Sequence, residues 1–411
     1  MRILVEPSDY IIRNIGDTAM MTVALERLGK LWPNSRIQVL TDNPAELPRP
    51  GRNVEPLSLA GRRLWFDHVW WTQEVKGKIR RSLRRTYPSI SYHAFRRWGG
   101  LSANEIAHLS AFFEAISESD LIVVTGMGGI TSAFPKYAHE LLEVVRSAQR
   151  LGAKTAMLGQ GLGPIEETEL RKKAGATFRR LHLLALREKR AGLPLLKALK
   201  VPIERTYVTG DDAVEIAVSN ATGEVGNGIG VNMRFANYAA IAHNDIEKVG
   251  QVLRRLSKQL GAPLVGVPIS RVPGEEDAVT IAKLIDDSEN VDADLAAIHL
   301  PHQVVHQLHR CRLLVTGSYH AGVFALSCGI PTVAVVRSPY YVDKFLGLAD
   351  MFGTGCQIIR VDELDFTDAL EEAVSKAWGS AEEVRAPLLA AAQFQLRQGY
   401  EAYATLRELF R

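Results

Sequence analysis

The sequence predicts an α/β protein made of two Rossmann-like, doubly wound domains that face a cleft. Short apolar runs alternate with amphipathic helical stretches, the rhythm of mostly parallel sheets with helices on their faces. A polar, glycine-rich stretch from Asn220 to Gly228 interrupts that rhythm, and the alternation then restarts. The length, 411 residues, exceeds one ordinary domain, for which about 150 residues is the usual size.

Strands are expected in the first half at Arg2–Val5, Arg36–Leu40, Leu121–Val124, Thr155–Leu158, Leu181–Leu186 and Thr206–Val208. Between them the apolar positions recur at helical spacing over Thr18–Leu31, Ala107–Ser117, Tyr137–Leu151, Glu167–Arg180 and Arg187–Leu199. The second series has strands at Ile229–Met233, Leu264–Val267, Ala297–His299, Leu313–Val315, Thr332–Val335 and Gln357–Ile359. Its helices fall at Asp245–Leu260, Glu275–Ile285, Pro301–Cys311, His320–Cys328 and Val342–Leu348. The expected division is an N-terminal domain over 1–220, a C-terminal domain over 221–380 and a helical tail over 381–411. The tail is rich in Ala, Leu, Glu, Arg and Gln.

One region breaks the rhythm. Residues 44–104 hold four of the six tryptophans, and Lys76 to Arg97 carries eight Lys/Arg and no Asp or Glu. This insertion is expected at the cleft rim or on the surface. It fits a peripheral contact with an anionic membrane, a contact with an acidic glycan, or a lobe with solvated charges.

Composition narrows the function. Forty-nine Lys and Arg against 46 Asp and Glu give a formal charge of +3, without the broad basic excess of a nucleic-acid binder. Cys311, Cys328 and Cys356 form no Cys-x-x-Cys pair and read as reduced residues of a cytoplasmic protein. The start, Met1 to Glu6, is a first strand and not the apolar core of a signal peptide. No apolar run is long enough to span a bilayer, so any membrane role is peripheral, at the inner face. His302, His306 and His309 share one predicted helix face, but no acidic or cysteine ligands accompany them, and neither a metal nor a cofactor is expected.

Five stretches carry candidate chemistry, each at the carboxyl end of a predicted strand, where doubly wound sheets bind ligands. Asn14-Ile15-Gly16-Asp17 precedes the first helix; Gly16 permits a tight turn and Asp17 is placed to cap. Gly126-Met127-Gly128-Gly129 and Gly159-Gln160-Gly161-Leu162-Gly163-Pro164 let backbone amides approach a substrate oxygen. Arg234 ends the first strand of the second domain, and its planar fork suits a carboxylate or phosphate. Ser318-Tyr319-His320 opens an apolar helix, where unpaired amides favour an anion. Arg337 and Lys344 add cations after the next strand. Arg234, His320, Arg337 and Lys344 together predict an anion pocket.

With these stretches in order, the chain resembles the polysaccharide pyruvyl transferase family. Asn14, Gly16 and Asp17 match its Asn-x-Gly-Asp turn, and Gly126–Gly129 and Gly159–Pro164 match its glycine-rich segments. Arg187, Asp212 and Ala213 answer to a helix-start arginine and an Asp-Ala pair. Arg234, His320, Gly329, Pro331 and Lys344 match the second half. One position departs: where the family carries Ser-Arg-x-His, this chain has Gly317-Ser318-Tyr319-His320.

The resemblance implies a fold similar to the B-type glycosyltransferases. It also implies transfer of the enolpyruvyl group of phosphoenolpyruvate onto the hydroxyls of a glycan or lipid-linked sugar, as a ketal, with release of phosphate. On that reading Arg234, Ser318, Tyr319, Arg337 and Lys344 hold the donor. His320 and Asp17 are the catalytic candidates. Asn14, Gly128, Gly129 and Gln160 face the acceptor. Two other readings stay open: a nucleotide-sugar glycosyltransferase in the same cleft, with Glu275, Glu276 or Asp277 toward the ribose, and a non-catalytic glycan binder.

Overall fold

The computed structural model describes residues 1–220, 225–236, 239–285 and 295–410. Ala221 to Glu224, within the expected linker, lie outside the described residues. The first domain is built on an eight-stranded sheet: β1 (Arg2–Glu6), β2 (Arg36–Thr41), β3 (Val54–Ser58), β4 (Leu121–Val124), β5 (Met127–Ile130), β6 (Lys154–Leu162), β7 (Leu183–Leu186) and β8 (Thr206–Val208). The order is β3-β2-β1-β4-β6-β7-β8, with β5 paired to β6. The second sheet has β9 (Gly228–Asn232), β10 (Leu264–Gly266), β11 (Cys311–Thr316), β12 (Thr332–Val336) and β13 (Cys356–Arg360), ordered β10-β9-β11-β12-β13. Every pairing in both is parallel.

In both sheets the chain first runs outward one way and then returns beside its first strand. The direction therefore reverses between β1 and β4 and between β9 and β11. At such reversals the helices after adjacent strands lie on opposite faces and leave a crevice at the strand ends. The strands are short apolar runs because both faces are covered; all of Leu121–Val124 and all of Thr332–Val336 are buried.

Two helices stitch the domains together. On the Ile15–Leu31 helix, Ile15, Ala19 and Met20 join the core of the second domain, whereas Met21, Leu25 and Leu28 join that of the first. The stretch expected as a tail is the later part of a 43-residue helix, Phe366–Glu408. Its start packs Phe366, Leu370 and Val374 into the second core, and its end sets Tyr403 and Leu406 against Ile3, Val5 and Leu25 of the first.

The irregular region 44–104 is more ordered than its composition indicates. It supplies β3 and the short helices Ala60–Asp67, Val69–Thr72, Glu74–Thr86 and Pro88–Trp98. Trp65, Trp71 and Phe95 are buried with Leu4, Leu40 and Ile122 of the sheet, so the insertion covers one sheet face and is not merely a surface lobe. Its basic residues are partly internal: Arg62 pairs with Glu6 and Glu140, and Arg84, within the charge run, with Glu143.

Other local expectations change for physical reasons. Residues Ala297–His299 form no strand; a single 3-10 turn spans Leu295–Ala297. Leu295 and Ile298, three apart, both fall inward there, which a three-residue turn satisfies and a strand would not. The glycine turn after β4 is itself mostly strand, as β5. Asn14, not Asp17, caps the first helix: its Oδ1 accepts from the amides of Gly16, 3.0 Å, and Asp17, 3.2 Å. The extended backbone of Asn14 suits that role, whereas Asp17 already lies in the first turn.

Candidate active site

A cleft of about 340 Å³ opens where the two switch points face each other. Each wall comes from a segment just past a strand end: Ser8 and Asn14 after β1, Gly128 and Gly129 within β5, and Arg187 after β7. From the second domain come Arg234 after β9, Ser318 to His320 after β11, and Tyr340, Tyr341 and Lys344 after β12. The strand register thus delivers residues distant in sequence to one point.

The domains touch through the first capping turn. Ile15 donates its amide to the Ile269 carbonyl, 2.9 Å, and Arg271 donates to the Arg13 carbonyl, 2.8 Å. At the same place Gly16 lies against the imidazole of His320. A β-carbon at Gly16 would sit 2.1 Å from the ring's Cγ and 2.2 Å from Nδ1. The glycine is therefore required by the approach of a side chain from the other domain.

The two glycine motifs make room in the same way for an arginine. A β-carbon on Gly128 would meet Arg187 Nη2 at 2.7 Å and Lys344 Cε at 3.1 Å. One on Gly161 would meet Arg187 Nε at 2.7 Å. Arg187 is thus sandwiched between the motifs. Its guanidinium carbon stands 4.1 Å from the centre of the Tyr319 ring, and Nη1 lies 3.5 Å from Asp211 Oδ2. Its Nε has no hydrogen-bond partner among the described residues.

Arg234 is buried beside two acids, Nη2 at 3.1 Å from Glu275 Oε2 and Nη1 at 3.5 Å from Asp277 Oδ1. The Asp277 carboxylate also accepts the amides of Ile269 and Ser270, 2.9 Å each, and Asn232 Nδ2, 2.8 Å. At this helix start, where Glu275, Glu276 or Asp277 is a candidate for a ribose, Asp277 is instead a buried brace for Arg234. Lys344 sits 4.2 Å from the centre of the Tyr340 ring, and the Tyr340 hydroxyl donates to the Gly128 carbonyl, 2.8 Å.

These cations shape the ionisation of the site. Burial holds the Lys344 ammonium well below the usual lysine range, and the nearby Arg187 adds to this while Asp17 opposes it. Burial, then Arg187, Lys344 and Arg234, keeps the His320 imidazole neutral, far below its ordinary value. His320 Nε2 lies 3.8 Å from Asp211 Oδ2 and has no hydrogen-bond partner among the described residues. Burial pushes the Asp17 carboxyl up to about 7, with Asp9 adding to the rise and Ser8, Lys344 and Arg187 opposing it. Burial likewise raises Asp211, against the pull of Arg187.

Of the sequence candidates, Asn14, Asp17, Gly128, Gly129, Arg234, Ser318, Tyr319, His320 and Lys344 line this cleft together. Two do not. Arg337 turns to Asp245, with Nη2 at 2.8 Å from both carboxylate oxygens. Gln160 is fully buried and donates to the carbonyls of Thr125 and Leu158, 2.7 Å each, so it ties β4 to β6 below the cleft. The amide of Ser318 is committed within its own turn, donating to Thr316 Oγ1 at 2.9 Å.

The match to a known family takes in most of this constellation, from Asn14 to His320, while Ser8, Tyr340, Tyr341 and Lys344 fall outside it. Residues 14–339 fit the polysaccharide pyruvyl transferase family. The chain belongs to that family. It is a transferase, and its fold is that of the B-type glycosyltransferases and UDP-GlcNAc 2-epimerases. A search of the curated proteins finds no match. Similar solved structures include a UDP-GlcNAc 2-epimerase from Neisseria meningitidis bound to UDP-GlcNAc, with TM-score 0.56 and 12% identity over 99% of this chain and 100% of the other. Os79 from O. sativa, in complex with U2F and trichothecene, has TM-score 0.57 and 13% identity over 100% of both chains. At these identities the likeness concerns the fold.

Sequence reasoning left out of the site Arg187, which lines the cleft, and Asp211, which contacts Arg187 and lies 3.8 Å from His320. For Arg187 the signal was present: it follows directly on the apolar run Leu183–Leu186, at a strand end. Asp211 was masked by its neighbour. The motif position Asp212 serves structure instead, its Oδ1 accepting from Arg27 Nη1 at 3.0 Å. Among the described residues no group of three or more His, Cys, Asp or Glu is placed to hold a metal, and no helix is long and apolar enough to cross a membrane.

Proposed function

We propose that this family member transfers the enolpyruvyl group of phosphoenolpyruvate to hydroxyls of a polysaccharide or its precursor, forming a pyruvate ketal. One observation carries the reading: Arg187, Arg234, Lys344 and His320 converge on one cleft between the domains. Such a set suits a small donor bearing a carboxylate and a phosphate, because charge-assisted bonds from a preorganised site are strong where water is excluded. Arg187 supplies the guanidinium that the departure at Ser318 removes from the helix start. An anionic donor beside Lys344 opposes the burial that lowers its ammonium and favours the charged form.

The chemistry then runs as follows. The methylene carbon takes a proton and becomes the methyl group, and the first sugar hydroxyl adds to the adjacent carbon and gives up its proton. The C–O bond to phosphate breaks, and the second hydroxyl closes the ketal as its proton leaves on the phosphate. The two hydroxyl protons thus end on carbon and on phosphate. Asp17, poised near neutrality, is suited to pass the first of them. His320, held neutral at the cleft wall, is suited to donate a hydrogen bond to the leaving phosphate. The acceptor lies on the side of Asn14, Ser8, Phe134 and Tyr137, where aromatic faces can stack on a sugar. Use of phosphoenolpyruvate implies work in the cytoplasm.

The test is phosphate release from phosphoenolpyruvate with candidate glycans, together with acid-labile ketal on the product. Absence of both, with hydrolysis of a nucleotide sugar, would move the assignment to a glycosyltransferase. Engagement of Glu275 and Asp277 with Arg234 speaks against that second reading, since it commits two of its three candidate acids.

A further inference from the structure

The helix Glu74–Thr86 is folded inside out. In an ordinary surface helix the apolar stripe faces the core and the charges face water. Here the inward positions are Gly77 and Arg84, and the partly buried ones are Arg80 and Arg81. Arg84 pairs with Glu143 and donates to the Trp65 carbonyl, Arg81 donates to the Trp71 carbonyl, and Arg80 lies 3.4 Å from the centre of the Trp70 ring. The apolar stripe points out: Val75, Ile79 and Leu83, four residues apart, are 73%, 59% and 48% exposed. The next helix, Pro88–Trp98, also leaves Ile90 and Trp98 65% and 68% exposed.

This surface also has a sign. At helical spacing Lys76 and Lys78 fall on either side of the Val75–Ile79–Leu83 stripe, and Arg85 follows at its end; all three are exposed. Beyond Arg85 lies a groove of about 580 Å³ that also takes in Arg146, Arg150 and Lys172; in all it is lined by five Lys/Arg and three Glu, a basic excess of two. Burial, then repulsion from Arg150 and Arg180, holds Arg146 below the ordinary guanidinium range, and burial with repulsion from Arg180 does the same to Arg150, so positive charges crowd this end. A second copy of the chain across a two-fold axis would set these basic rims against each other, which is unfavourable.

We propose that this face docks on an anionic lipid bilayer. The stripe inserts at the level of the headgroups, the flanking lysines meet lipid phosphates, and the Arg146–Arg150 groove receives a headgroup. An interfacial helix with aliphatic and tryptophan side chains on one side and basic residues beside them is built for that boundary. The inference stands apart from the pyruvyl reading, since its test requires no turnover.

The experiment is co-sedimentation of the full chain with vesicles of phosphatidylcholine alone and of phosphatidylcholine with phosphatidylglycerol. Binding is expected only to the anionic vesicles and is expected to fall as salt rises. The double variant Ile79→Glu/Leu83→Glu, on exposed positions, should lose at least about tenfold in partitioning while keeping the circular dichroism of the parent. Lys76→Glu/Lys78→Glu should lose about as much, at a few-fold per charge near the surface. No pelleting with anionic vesicles overturns the proposal, as does pelleting that both variants leave unchanged. A concentration-dependent dimer that Leu83→Glu disperses, without vesicle binding, assigns the face to a second copy and also overturns it.

Discussion

Gly16 shows how a single atom can join two domains. Its α-carbon lies where any side chain would strike the His320 ring. Gly16→Ala is expected to displace that imidazole and cut the rate of phosphate release by roughly 100-fold, since misplacements of about 1 Å cost that much. The melting temperature should shift little by comparison. Arg187→Lys is expected to lower kcat/KM for the donor by about 10-fold or more, because an ammonium cannot reproduce a stacked, forked guanidinium. Asp17 makes the site sensitive to pH. Its folded-state value, about 7, lies above its ordinary 3.8, so between these the folded chain holds a proton that the unfolded chain has released. The stability this contributes is fully present below about 3.8 and is lost as pH rises through about 7. Asp17→Asn should therefore flatten the fall of melting temperature between pH 5 and 8, and remove the inflection near neutrality from the pH–rate profile. Residue types at strand ends made Arg234, His320 and Lys344 legible in sequence. Arg337 occupies an equally suitable position, but Asp245 captures its guanidinium, and no local pattern announces that partner.

At the scale of elements, the long helix Phe366–Glu408 is fastened to the first domain by a buried charge network. Arg27 Nε donates to Glu215 Oε2 at 2.7 Å and Nη1 to Asp212 Oδ1 at 3.0 Å, and its guanidinium lies 4.8 Å from the ring centres of both Tyr400 and Tyr403. The Tyr400 hydroxyl donates to Glu215 Oε1 at 2.8 Å. Removing one member of such a network leaves buried charges unpaired. Arg27→Ala is expected to destabilise the protein by about 3–5 kcal/mol in denaturant titration. The periodicity of this helix was visible from Ala381 onward, but its start at Phe366 and its second partner were not. The stripe that fills one core gives way, along the same helix, to a stripe that fills another. Strands covered on both faces read clearly as apolar runs, as Leu121–Val124 does. β3 and β5 did not, because Val54–Ser58 contains Pro56 and Met127–Ile130 contains two glycines, and neither carries β propensity of its own.

At the scale of the molecule, two parallel sheets present their switch points to each other, and the cleft is the space this leaves. Hydrogen bonds between residues 13–15 and 269–271 hold the domains together at its floor. A donor that bridges the Arg187 side and the Arg234 side should therefore stabilise the whole chain. Phosphoenolpyruvate at about one hundred times its dissociation constant would contribute about 2.7 kcal/mol, seen as a rise in melting temperature. Lys344→Met should abolish most of that rise, and an unchanged melting temperature in the parent would count against a donor site here.

The alternation of apolar runs and amphipathic stretches determined by itself that the protein is α/β, doubly wound and two-lobed, because burying both faces of a parallel sheet requires that pattern of any chain. The order of short motifs likewise determined the family. Tertiary structure alone decided that Asp211 backs Arg187 beside the site while Arg337 and Gln160 leave it, and that an arginine-rich helix turns its aliphatic side outward. Those outcomes depend on which partner reaches a side chain first in space, and residues as far apart as Gly16 and His320 acquire their relation only when the two sheets meet.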